Sequence, residues 1–128
     1  MQKFFSLALG GALGTILRYL VSGAVHKYIS NIFPWGTLVV NLLGSLVIGI
    51  LWELSSQEII SPPMKIFIFI GILGGFTTFS TYCLENFNLL RDGELPWALM
   101  NIFLSNFLGI GLVFVGAALS RYVLGIFK

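Results

Sequence analysis

Charge is what this chain has least of. Only 9% of its 128 residues are Asp, Glu, Lys or Arg, whereas a soluble domain carries about 25%, so water is excluded as the main solvent. The single cysteine, Cys83, excludes a disulfide framework. It sits inside an apolar stretch, where a small buried hydrophobe is the expected role. The single histidine, His26, lies in the first loop beside Lys27. That position argues against an intramembrane protease, which needs a nucleophile with a base at hand. No acid falls in the first apolar stretch, and no nucleic-acid partner is expected.

What is present is apolar: 57% of the residues are hydrophobic and the mean hydropathy is +0.96. The charges gather into clusters: Lys3, Arg18 and Lys27; Glu53, Glu58 and Lys65; Glu85, Arg91, Asp92 and Glu94; Arg121 and Lys128. The stretches between them are each close to the roughly 20 residues that cross a hydrocarbon core of about 30 Å. The pattern predicts an all-α membrane protein with one transmembrane domain in the lipid bilayer. Its four helices are expected over residues of about 4–25, 36–54, 65–91 and 97–122. The first stretch does not read as a cleaved signal peptide, because it is long and its Gly10, Gly11 and Gly14 precede Arg18 with no small-residue cleavage site. Four spans put Lys3, Lys65, Arg121 and Lys128 on one side and Lys27 and Arg91 on the other, with Arg18 joining the second group if it snorkels. So small a bias permits insertion in both orientations, and with it an antiparallel homodimer.

Within the spans the polar residues fall in register. In helix 1, Gly10 and Gly14 form a small-xxx-small pair suited to close packing. Arg18 lies deep enough to require either an aqueous vestibule or a partner inside the protein. Helix 2 starts after Asn31 to Pro34 and carries Asn41, Ser45 and Gly49 at four-residue spacing, either as glue between helices or as the wall of a pathway. Trp35, Trp52 and Trp97 mark helix ends as interfacial anchors.

Helix 3 follows Pro62 and Pro63 and meets Gly74-Gly75-Phe76-Thr77-Thr78-Phe79-Ser80-Thr81-Tyr82 near its midpoint. Paired glycines before two threonines make a weak place in a helix, with hydroxyls able to cap a fresh start. The alternatives are an unbroken helix with glycines for packing, or a break near residues 74–78. A break at that depth survives only where it lines a cavity or holds an ion. Beyond it, Phe76 and Phe79 share a face, as do Phe79 and Tyr82, beside the hydroxyls of Ser80 and Thr81. Helix 4 repeats the polar stripe with Asn101, Ser105 and Gly109, Asn106 lying adjacent.

The run from Gly74 to Tyr82, with Pro34 to Gly44 and Leu13 to Arg18, resembles the bacterial fluoride channels called Fluc or CrcB across essentially the whole chain. The resemblance implies passive export of fluoride through two separate pathways in an antiparallel, dual-topology homodimer of the bacterial cell (inner) membrane. It implies a structural sodium ion (Na+) at the dimer interface, held by backbone carbonyls at Gly74 and Thr77 of both subunits. Phe79 matches the first of two pore-lining phenylalanines, and the second falls at Tyr82, a departure. Asn41 matches the pore asparagine, Arg18 a vestibule arginine and Glu85 an acidic position beyond the aromatic pair. On helix 4 the family often has a tyrosine four residues before a serine and a hydroxyl after it; here only Ser105 carries over, between Asn101 and Gly109.

Such residues suit a small, strongly hydrated anion. Neutral donors on Asn41, Ser80, Thr81 and Ser105 replace lost water without trapping the ion, as a cation at the constriction would. The ring edges of Phe79 and Tyr82 carry partial positive charge and hold an anion weakly. The competing expectation is a small four-helix proton-coupled exporter of the multidrug type, which needs a carboxylate deep in helix 1; the deepest acid here is Glu85.

Overall fold

The computed structural model describes residues 1–29 and 32–126. Asn31, at the start of the loop before helix 2, and Lys128, counted among the basic residues, lie outside them. Among the described residues four helical spans are long and apolar enough to cross a membrane: Lys3–Tyr28, Trp35–Ser56, Pro62–Arg91 and Leu95–Gly125. We label the helices α1 (Gln2–Tyr28), α2 (Trp35–Ser56), α3 (62–76), α4 (Phe79–Arg91) and α5 (95–126). No strand occurs among the described residues. The helices outrun the expected segments by one to four residues at most of their ends.

Local chemistry explains the boundaries. Pro62 and Pro63 open α3, where a missing N–H costs nothing. At the end of α4, Gly93 adopts φ +81°, its N–H donating to the Leu90 carbonyl while the Glu94 N–H reaches that of Leu89. This closes the helix and reverses the chain into α5. Two segments widen to i→i+5 turns, Ile66–Leu73 in α3 and Leu104–Leu108 in α5.

Glycine decides which helices meet. A Cβ on Gly10 would lie 2.7 Å from the Phe67 carbonyl oxygen, and one on Gly14 would overlap the Ile72 carbonyl, so α1 and α3 touch backbone to backbone. Likewise Gly49 of α2 faces the Val113 backbone of α5, and Gly116 of α5 faces Leu46 and Ile50 of α2. At one end of the bundle Arg121 pairs with Glu53 at 2.9 Å, and Lys65 Nζ donates to the Ser55 carbonyl at 3.1 Å. At the other end buried Phe33 packs between Trp35 and Trp97, ring centroids 4.6 and 5.7 Å away. Trp52 sits near the end of α2, edge-on to Phe69.

Candidate functional site

Between α3 and α4 the backbone leaves the helix for two residues. Thr77 (φ −80°, ψ 159°) and Thr78 (φ −148°, ψ 115°) are extended, while Gly74 and Gly75 keep helical geometry. The Thr77 amide and hydroxyl both donate to the Leu73 carbonyl, at 3.0 and 2.9 Å, and so close the last turn of α3. The next amide, that of Thr78, would extend the ladder to Gly74. It donates instead to Asn41 Oδ1 at 2.9 Å, and Asn41 Nδ2 returns a bond to the Thr78 carbonyl at 3.1 Å. A primary amide presents donor and acceptor side by side, so one side chain satisfies both backbone groups of one peptide residue. In lipid, where an unsatisfied peptide group costs several kcal/mol, that pairing is what lets the chain stay extended here.

The restart is capped by the chain itself. The Thr78 hydroxyl accepts from the Thr81 amide at 3.3 Å and donates to the Thr81 hydroxyl at 2.8 Å. Because the Thr78 and Thr81 amides are spent on side chains, the carbonyls of Gly74 and Thr77 are released from the helical ladder. Gly44, three residues after Asn41, lets α2 come this close, since a Cβ there would overlap Thr77 Cγ2.

A groove of about 370 Å³ runs beside the extended pair, lined by Asn41, Ser45, Gly74, Thr77, Thr78, Phe79, Tyr82, Ser105 and Asn106 among others. Phe79 is 77% exposed, and its ring lies 5.7 Å from that of Tyr82 at a 36° tilt. From α5, Ser105 Oγ donates to Asn101 Oδ1 at 3.2 Å. Asn101 is buried, and its Nδ2 finds no partner among the described residues. Neighbouring residues on an α-helix point about 100° apart; the wide turn Leu104–Leu108 brings both Ser105 and Asn106 onto this groove.

A second groove, of about 490 Å³, is lined by Thr15, Arg18, Ser22, His26, Thr37 and Thr81, and it shares Thr78 with the first. Beside it Thr37 donates to Glu85 Oε1 at 2.5 Å and ties α2 to α4. The structure therefore brings Asn41, Phe79, Tyr82, Ser105, Gly74 and Thr77 together, and sets Arg18 and Thr81 on the far side of Thr78. Two other sequence-predicted residues line neither groove. Ser80 is exposed, and Phe76 is half-buried at the α1 and α2 contacts.

Sequence reasoning passed over three residues with distinct contacts. Thr78 was one threonine of a pair, and nothing in the spacing singles it out as the partner of Asn41. Asn106 was only a neighbour of the helix 4 stripe, because the wide turn that exposes it is not legible in a regular helical count. Thr37, which precedes Asn41 by one helical turn, had a signal: it extends the polar face of α2 by four residues. No cluster of three or more His, Cys, Asp and Glu residues able to hold a metal occurs among the described residues.

The family described as CrcB-like protein, Camphor Resistance (CrcB), matches residues 5–117. The fluoride-specific ion channel FluC of Salinibacter ruber is 44% identical over 125 residues, covering 98% of this chain and 94% of that protein. The protein of the same name from Magnetococcus marinus is 42% identical over 118 residues, covering 91% of this chain and 96% of the relative. That of Parabacteroides distasonis is 40% identical over 128 residues, covering both chains in full.

Proposed function

The chain belongs to the CrcB-like protein family, and on that premise we propose that it is a fluoride-selective ion channel, not an enzyme, passing fluoride passively out of the cell. The finer reading is an antiparallel, dual-topology homodimer in the bacterial inner membrane with two pathways. The observation that carries the channel reading is the Asn41–Thr78 pair, an amide holding two residues of extended backbone midway along the Pro62–Arg91 span, where two grooves share Thr78. Unwound backbone at mid-membrane is stable only beside a cavity or an ion.

Arg18 lines the second groove and raises the local concentration of anions there, away from the Asn41–Thr78 junction. Past Thr78, a fluoride ion meets the second amide hydrogen of Asn41 and the tilted rings of Phe79 and Tyr82, and the Ser105 hydroxyl joins them by turning from Asn101 Oδ1 to the ion. These replace hydration water one bond at a time, which favours passage over trapping.

Two features support the dimer. The half-helix α4 leaves Phe79 77%, Leu84 59% and Phe87 59% exposed, a surface suited to a second copy. The released carbonyls of Gly74 and Thr77 also fit a sodium ion, a hard cation that prefers oxygen ligands and is commonly held at unwound half-helix ends. Carbonyls from both subunits would hold it, and its charge would offset the convergence of their negative dipole ends.

Liposomes loaded with fluoride and chloride test this reading. Rapid fluoride loss with chloride retained, in the absence of a proton gradient, is the expected result. Strict dependence on a proton gradient would make the protein a carrier and overturn it.

A further inference from the structure

The Tyr82 hydroxyl is bonded in a way that leaves its hydrogen for the groove. Asn106 Nδ2 lies 2.7 Å from the Ile102 carbonyl oxygen and 3.2 Å from the Tyr82 oxygen. A carbonyl only accepts, so the atom facing Ile102 is the amide nitrogen, and chemistry settles which way the amide points. The nitrogen's second hydrogen then reaches the phenol, which therefore acts as acceptor. A phenol has a single hydrogen of its own. Among the described residues none receives it.

The arrangement is specific to where these residues sit. Tyr82 lies in the first turns of α4, and the wide turn of α5 carries Asn106 to it; both line the groove that also holds Asn41 and Ser105. A hydroxyl that accepts a hydrogen bond becomes a stronger donor, because each bond polarises the next. The groove thus carries a strengthened O–H donor beside the ring of Phe79.

We propose that Tyr82 donates its phenolic O–H to fluoride in transit, and that Asn106 is the positioning residue that aims and strengthens this donor. The inference rests on the fluoride-channel reading. A short bond to a charge-dense anion gains more from such a donor than a bond to a larger halide does, so the pair acts on selectivity as well as rate.

Fluoride and chloride efflux from liposomes separates the two readings. Wild-type protein that passes no fluoride would end the channel reading itself. Given wild-type flux, Tyr82→Phe is expected to slow fluoride about tenfold, the effect of one hydrogen bond to a charged group, with chloride leakage unchanged. Asn106→Ala should slow fluoride comparably with Tyr82 in place and have no further effect in the Tyr82→Phe background. Asn106→Asp turns the bond round, since a carboxylate takes the phenol's hydrogen, so its effect should be larger with Tyr82 than in the Tyr82→Phe background, where only its charge acts. Wild-type fluoride flux through Tyr82→Phe would overturn the proposal. Equal slowing by either Asn106 variant in both backgrounds would overturn the role of Asn106.

Discussion

The two halves of the third span are held in opposite ways. In α3 (62–76) the contacts are backbone on backbone: Gly71 lies against Gly10, and a Cβ on Gly75 would come within 2.6 Å of the Gly11 carbonyl oxygen. In α4 (Phe79–Arg91) bulky side chains point away from the subunit. Its ties to other helices include single polar bonds, Thr37 to Glu85 and Asn106 to Tyr82, with Asn41 gripping the residue just before it. Close apolar packing is strong but non-directional, whereas hydrogen bonds are few and aimed. The first half is therefore a fixed support, and the second is a positioned element whose placement rests on a handful of donors and acceptors.

The largest effect should come from breaking the support. Gly14→Leu drives a side chain into the Ile72 carbonyl and the Phe76 amide, and overpacking against a backbone that cannot yield is expected to cost about 3 kcal/mol. A thermal melt in detergent would read this as a large drop; an unchanged melt would mean that α1 and α3 are not in close contact.

Next comes the junction itself. Asn41→Leu strips Thr78 of both partners, at about 1–3 kcal/mol for each group left unsatisfied. It is expected to lower fluoride efflux about a hundredfold, equivalent to about 2.7 kcal/mol at the barrier. Flux within twofold of wild type would show that the extended segment does not depend on this amide.

Smaller effects sharpen the contrast. Thr78→Val removes the cap on the first turn of α4 and should cost about 1 kcal/mol, with Thr78→Ser restoring it. Equal melts for the two variants would argue against the cap. Arg121→Ala, outside both halves, removes an ion pair whose arginine is 70% exposed, and a loss below about 1 kcal/mol is expected. A larger loss would mean that the buried carboxylate of Glu53 dominates that end of the bundle.

Much of this was legible in the residues. The four spans follow from charge clusters and apolar length, and Gly10 with Gly14 was recognisable as a packing face. The polar stripe of α2 was visible too, but its two readings, glue or pathway, were not separable. Asn41 is both at once: its amide binds Thr78 of another helix and lines a groove. The weak place in helix 3 was expected over residues 74–78, paired glycines before two threonines; within that range the glycines stay helical and the threonines are extended. Glycine permits a bend, but the bend sits where side chains can satisfy the freed amides. Asn106 stayed hidden because a wide turn changes which residues share a face.

The number of membrane-crossing segments, the helical character of each and the residues at their ends were determined by the sequence alone. Transfer free energy and capping are local properties, additive over neighbours in the chain. Which amide would meet which backbone group was decided only by the tertiary structure. Asn41 and Thr78 are 37 positions apart, and a hydrogen bond between them exists only once glycine-lined helices have set the distance between α2 and the third span.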